Sequence, residues 1–293
     1  MTVSRPSPAR SGAQQRQDPT SGPALQADPR VAGLWRLVTG ALRPAPGLGR
    51  IAFALGLGAL THFIFALAVL AMIMAMFFGM SESFGRVPQP WAWLANLALI
   101  AQFPLMHSVL LTGPGGRALQ RMIPGPHGKT VASTTYALVA SLQLLVLFTF
   151  WTPSGIIWWR AEGAALVGLC LAYAIAWALL MKASFDAGAE VQSGALGWMS
   201  LLARRAPRFP DMPTLGLFRV IRQPIYLAFA LTLWTVPVWT PDQLLLASGL
   251  TAYCLLAPKL KERRFEARYG ARFDAYRATT PYMIPKFRKT DAQ

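Results

Sequence analysis

The chain has 293 residues, 54% of them hydrophobic and only 14% charged, with a formal net charge of +16 at neutral pH. That balance excludes an ordinary soluble domain and fits a chain that keeps most of its length in lipid. It also argues against nucleic acid as the partner of the basic excess. In a polytopic membrane protein Lys and Arg collect in the cytoplasmic loops and set orientation, so membrane lipids are the expected partners.

Residues 1–49 are rich in Pro, Ser, Ala, Gly, Gln and Arg and show no apolar period, so they are predicted to form a disordered basic tail. The first long apolar run begins too late for a cleaved signal peptide. Trp35, Arg36, Arg43 and Arg50 are expected at the membrane surface. A bilayer crossing takes about 20 apolar residues. Residues 51–80, 91–112, 131–151 and 163–181 meet that requirement. Residues 225–236 and 243–256 read as the two short legs of a hairpin that turns at 237–242. A basic, aromatic helix follows over 260–277. The expected fold is therefore all-α: a polytopic membrane bundle of about six transmembrane segments, the last two a helical hairpin, with a cytoplasmic C-terminal amphipathic helix. Three regions result: the tail 1–49, the first four spans and their long loop over 50–216, and a hairpin with a C-terminal cofactor-binding segment over 217–293.

Charge placement sets the topology. Seven Arg residues precede the first span, Arg117, Arg121 and Lys129 lie between the second and third, and ten Lys or Arg follow Pro258. The alternate loops carry only Arg86 and Arg160. That alternation predicts an integral membrane protein of the bacterial inner membrane with both termini in the cytoplasm. The residues on either side of the hairpin then meet at one membrane face.

Chemistry-bearing side chains are sparse in the spans. No Asp or Glu lies mid-span, which argues against an ion-coupled transporter. His62 reads as a hydrogen-bonded packing residue, whereas His107, followed by Ser108, is a candidate for contact with substrate. Three His and two scattered Cys residues (Cys170 and Cys254) give no metal-ligand spacing and no disulfide. The C-terminal region is denser. Pro224 fixes the start of the next helix and keeps Gln223 out of helical geometry. Arg222 therefore sits beside uncapped backbone N–H groups, a place suited to a carboxylate. Tyr226 lies in the first turn. Across the hairpin, Glu262 offers a carboxylate, Arg263 adds positive charge, and Phe265, Tyr269, Phe273 and Tyr276 recur at helical spacing, able to cover an aromatic ring. Each feature also has a purely structural counterpart: Arg222 anchoring lipid phosphate, Glu262 pairing one turn away, the aromatic helix lying on an anionic surface.

Taken in order, Arg222-Gln223-Pro224-Ile225-Tyr226, the hairpin, Glu262-Arg263, Tyr269-Gly270, Tyr276 and Pro285 resemble the isoprenylcysteine carboxyl methyltransferase and phospholipid methyltransferase superfamily. His107-Ser108 with Arg117, Arg121, Pro124 and the Thr135–Leu142 stretch is similar to its methanethiol S-methyltransferase and denitrification-associated branches. Three positions depart from the pattern: Gln223 replaces a His, Lys261 the first of two Glu residues, and Ser184 a further His. The resemblance implies a membrane enzyme that binds S-adenosylmethionine and methylates a small or lipophilic thiol or carboxylate. A non-catalytic accessory protein is the alternative. It further implies that Arg222, Gln223, Pro224 and Tyr226 form the cofactor pocket with Glu262, Arg263, Tyr269 and Tyr276. His107, Asp186, Glu190 and Gln192 are expected to orient the acceptor.

Overall fold

The computed structural model describes residues 28–285. The chain runs through α1 (Pro29–Ala41), α2 (Leu48–Phe77), α3 (Trp91–Leu110), α4 (Gly113–Met122), α5 (Gly128–Phe150), β1 (Trp159–Arg160), α6 (Gly163–Asp186), α7 (Ala189–Gln192) and α8 (Ala195–Leu202). A 3-10 turn over Gly216–Arg219 leads into α9 (Pro224–Trp234), β2 (Val238–Trp239), α10 (Pro241–Tyr269) and α11 (Ala271–Thr279).

Among the described residues, α2, α3, α5, α6 and α10 are long and apolar enough to cross a membrane. Their outward side chains are apolar as well: Val167, Leu171 and Ile175 of α6 are 61%, 60% and 60% exposed. Such a surface is stable only against lipid. The sixth expected segment is α9, which has 11 residues. At ~1.5 Å per residue it is roughly 16 Å long, about half the hydrocarbon thickness. It is sandwiched between α6 and α10 rather than standing free. One end of α9 reaches the interhelical turn, so its other end, with Arg222 and Gln223, is set back into the bundle.

The turn end is pinned by polar contacts. Asp242, at the start of α10, accepts hydrogen bonds from Trp151 Nε1 and from the Ser154 backbone N–H, both at 2.9 Å. Thr240 donates to the Gly79 carbonyl, and β2 pairs antiparallel with β1, Trp239 facing Trp159. Behind this lid Met76, Leu147, Phe148, Trp151, Leu233 and Leu246 form the main core. At the opposite end, Arg50 donates to the terminal carbonyls of α8 at Leu201 and Leu202. His62 accepts from Trp198 Nε1 at 3.1 Å, the packing role expected of it.

Two expectations are corrected. The region up to residue 49 is not structureless throughout: residues 1–27 lie outside the described part, but α1 is a helix. Its start is dictated by Asp28-Pro29, where the Asp28 side chain caps the Arg30 N–H and Pro29 occupies the first helical position. The second hairpin leg and the C-terminal amphipathic helix are also not separate. They form a single 29-residue helix that passes through Pro258 and stops only at Gly270, whose φ is +49°.

The segment before Arg222 is tied down at Asp186. Its carboxylate accepts from the Leu217 N–H at 2.8 Å and pairs with Arg30 and Lys182, each at 2.5 Å. Gly216 lies against it with φ +62°, and a Cβ there would come within 2.2 Å of Asp186 Oδ2. Gly216→Ala is expected to destabilise the protein by about 1–2 kcal/mol from the left-handed backbone alone, and by more from the collision. A lowered melting temperature in detergent checks this.

Candidate active site

Arg222 and Glu262 come from opposite sides of the hairpin and meet at the same end of the bundle. Arg222 Nε lies 2.9 Å from Glu262 Oε1, and the two side chains are only 11% and 15% exposed. Gln223 Nε2 donates to the same carboxylate oxygen at 2.7 Å. Arg222 Nη2 reaches the other Glu262 oxygen, Oε2, at 3.4 Å, and Nη1 goes to the Arg277 and Thr280 carbonyls, where α11 ends. The backbone makes this possible. Gln223 cannot be helical before Pro224, so the Arg222 and Gln223 N–H groups turn to the Pro281 and Tyr282 carbonyls at 2.9 and 3.1 Å. Irregular backbone set into a membrane bundle is tolerable only where protein satisfies its polar groups, and here the C-terminal segment does so.

The aromatic positions split by role. Tyr276 donates its hydroxyl to the Phe218 carbonyl at 2.7 Å, and burial pushes its phenol up to about 12, so it stays a neutral strut at neutral pH. Tyr269 sits at the α10–α11 bend, edge-on to Phe265 at 5.5 Å and beside the Arg268 and Arg272 guanidinium groups. It serves that bend rather than the Arg222 cluster. Tyr282 lies under Arg222, its ring centroid 5.6 Å from the guanidinium carbon. Pro224 starts α9, as its fixed φ requires.

A cavity of about 280 Å³ opens between α3, α9 and α10, beside the cluster. Tyr226, Arg263 and His107 line it, together with Ser108, Tyr253 and Arg264. His107 is wedged between the rings of Phe103 and Tyr136, at 5.1 and 5.0 Å. Its Nδ1 is buried without a hydrogen-bond partner among the described residues. Next to the cavity, Lys261 holds its ammonium 5.4–5.9 Å from the rings of Phe218, Tyr226 and Phe265, a cation–π cage.

The other residues expected at the acceptor are elsewhere. Asp186 and Glu190 line a separate cavity of about 910 Å³ under α1. The Asp186 carboxylate is fully engaged by Arg30, Lys182 and Leu217, so it anchors chain segments. Gln192 ends α7 and lines neither cavity. Sequence reasoning left out Tyr253, counted Arg264 only as added positive charge, and took Lys261 only as a departure from the family pattern. The first two had a signal: Tyr253, Ala257, Leu260 and Arg264 form a stripe at helical spacing along α10, and all four line the smaller cavity.

The residues present suit the amino-acid end of S-adenosylmethionine. A carboxylate would meet the N–H groups at the start of α9, which no side chain among the described residues caps, with the Arg222 charge close by. An ammonium would meet Glu262 and the Gln223 Oε1, which is buried and without a partner among the described residues. Gln223 thus supplies hydrogen bonds where a His would also titrate.

Fold and site together define a helical membrane protein with a sunken acid–base cluster built across its last hairpin, next to a small cavity. The chain is 31% identical over 211 residues to methanethiol S-methyltransferase 2 of Bradyrhizobium diazoefficiens, covering 68% of this chain and 77% of that protein. It is 29% identical over 198 residues to the methanethiol S-methyltransferase of Crocosphaera subtropica, covering 66% and 75%. Nurim of Xenopus laevis is 30% identical over 179 residues, 56% of this chain and 59% of its own length. No protein-family profile matches the chain, and no solved structure does. The chain belongs to the methanethiol S-methyltransferase group within the isoprenylcysteine carboxyl methyltransferase-like superfamily.

Proposed function

We propose that this chain is an integral membrane methyltransferase that moves the methyl group of S-adenosylmethionine to a small thiol. The observation that carries the proposal is the meeting of Arg222, Gln223 and Glu262 across the hairpin, an acid and a base held 2.9 Å apart with an unsatisfied amide oxygen beside them. When bound, S-adenosylmethionine supplies a methyl group already activated on a sulfonium. What remains for the protein is alignment and exclusion of water. Arg222 and the first N–H groups of α9 hold a carboxylate, and Glu262 with Gln223 holds an ammonium. Tyr226, in the first turn of α9, lines the smaller cavity next to that cluster. The names of the bacterial relatives favour a thiol over a carboxylate as acceptor. The base-rich loops and the C-terminal segment lie at the end of the bundle that carries the cluster, so that end is read as cytoplasmic, where a soluble cofactor arrives. A non-catalytic accessory role has less support, because a buried ion pair with an orphaned neighbour is costly to keep for structure alone.

The test is direct. Purified full-length protein in detergent, given methyl-labelled S-adenosylmethionine and methanethiol, is expected to release labelled dimethyl sulfide. Failure to bind the cofactor, with no label on any thiol offered, overturns the reading.

A further inference from the structure

The cavity between α3, α9 and α10 has a composition that neither the fold nor the packing accounts for. We infer that it is the seat of the thiol acceptor, and that the His107 imidazole is the group that takes the thiol proton. This rests on the methyltransferase reading above.

Four observations carry it. The cavity, at about 280 Å³, lies just below the range for drug-sized ligand pockets and is flanked by Leu111, Ala257 and Leu260, so its size suits a short acceptor. Two arginines, Arg263 and Arg264, line it and no carboxylate does, so the potential inside is positive. Arg264 is steadied at the rim by the Leu111 carbonyl, 3.4 Å from its Nη1. His107 makes no side-chain hydrogen bond among the described residues; its backbone carbonyl, not its ring, accepts from Tyr136 at 3.4 Å. An imidazole fixed between two aromatic rings and left without a partner is costly unless a ligand supplies one.

The chemistry chooses the acceptor class. A carboxylate acceptor arrives ionised and needs no base. A thiol arrives protonated, and only its thiolate is a good nucleophile. An unpartnered imidazole beside two guanidinium groups answers that need: the nitrogen accepts the proton while the arginines stabilise the sulfur anion. The thiol sulfur then forms a bond to the sulfonium methyl carbon as the old carbon–sulfur bond breaks. The departing thioether keeps that electron pair. The acceptor leaves as a methyl thioether, and the imidazolium returns its proton to water.

Titratable and charged groups facing His107 come from each neighbouring element: Tyr136 on α5, Tyr226 on α9, and Tyr253, Arg263 and Arg264 on α10. His107→Gln removes the titrating group while keeping a hydrogen-bonding side chain. In the full-length protein it is expected to leave S-adenosylmethionine affinity, measured by calorimetry, within about twofold, and to lower kcat for methanethiol by about 10²–10⁴. Log rate against pH is then expected to rise with a slope near +1, because the variant depends on thiolate formed in solution. Ala257→Phe fills the cavity from the α10 side and is expected to raise KM for methanethiol by about tenfold or more. An unchanged rate and pH profile in His107→Gln overturns the proton-acceptor role, and an unchanged KM in Ala257→Phe overturns the placement of the thiol. Loss of cofactor binding in the unsubstituted chain instead removes the underlying methyltransferase reading.

Discussion

Arg222→Ala is expected to lower S-adenosylmethionine affinity by on the order of 30-fold to several thousand-fold, the equivalent of about 2–5 kcal/mol for truncating one member of a buried charge pair. Three losses combine. The carboxylate of the ligand loses a neighbouring positive charge. Glu262 keeps a buried charge with only Gln223 Nε2 beside it, at 2.7 Å. The carbonyls of Arg277 and Thr280 lose their donor, so the segment that carries Pro281 and Tyr282 is held less firmly. Arg222→Lys keeps the charge but not the fork, and is expected to recover only part of the affinity. Glu262→Gln removes the charge and preserves the shape, so its effect is expected to be about tenfold. Calorimetric titration with the cofactor, paired with a melting curve for each variant, separates a binding defect from a folding one. Wild-type affinity in a stably folded Arg222→Ala protein removes the cluster from the cofactor site.

The second large effect is expected at the far end of the hairpin. Asp242 is 2% exposed, and its carboxylate serves three donors: the Trp151 indole, the Ser154 backbone N–H and the Ser154 hydroxyl. It also stands in the first turn of α10, where a negative charge suits the helix dipole. Asp242→Ala strands the buried Trp151 indole at about 1–3 kcal/mol and frees the partly buried Ser154 donors, so a loss on the order of 2–3 kcal/mol is expected. Asp242→Asn retains an acceptor oxygen and is expected to fall between. The readout is the melting temperature in detergent. Cofactor affinity is expected to survive in whatever fraction remains folded, because the cluster lies at the opposite end of α9. An unchanged melting temperature means that the interhelical turn is not held by this carboxylate.

The two predictions differ in how far the sequence alone supports them. That Arg222 and Glu262 reach one membrane face follows from the hairpin: two antiparallel legs return the chain to the side it left, whatever their length. The burial of Asp242 against Trp151 has no such local warrant, since a polar residue at a turn is as easily solvated as buried. The acceptor residues show the same division. Asp186 and Glu190 share with His107 only their polarity and the expected cytoplasmic side. Side is a weak constraint, and the packing of α1 and α8 carries Asp186 and Glu190 to a cavity of their own. Tyr253 carries no signal of its own, since a tyrosine in an apolar helix is ordinarily core. Its place across from His107 appears only when α3 meets α10.

The helical, membrane-spanning class, the asymmetry of basic loops and the hairpin bracketed by Arg222 and Glu262 were fixed by the order of residues alone. Hydrophobic length, helical period and proline stereochemistry act within a few neighbours and need no knowledge of the rest. The depth of the cluster, the C-terminal strap that supplies its backbone partners, the continuity of α10 through Pro258 and the joining of His107 to Tyr226 and Tyr253 were decided by tertiary packing. Each depends on which helix faces of distant segments are pressed together, and that is settled by the shape of the whole bundle rather than by any stretch within it.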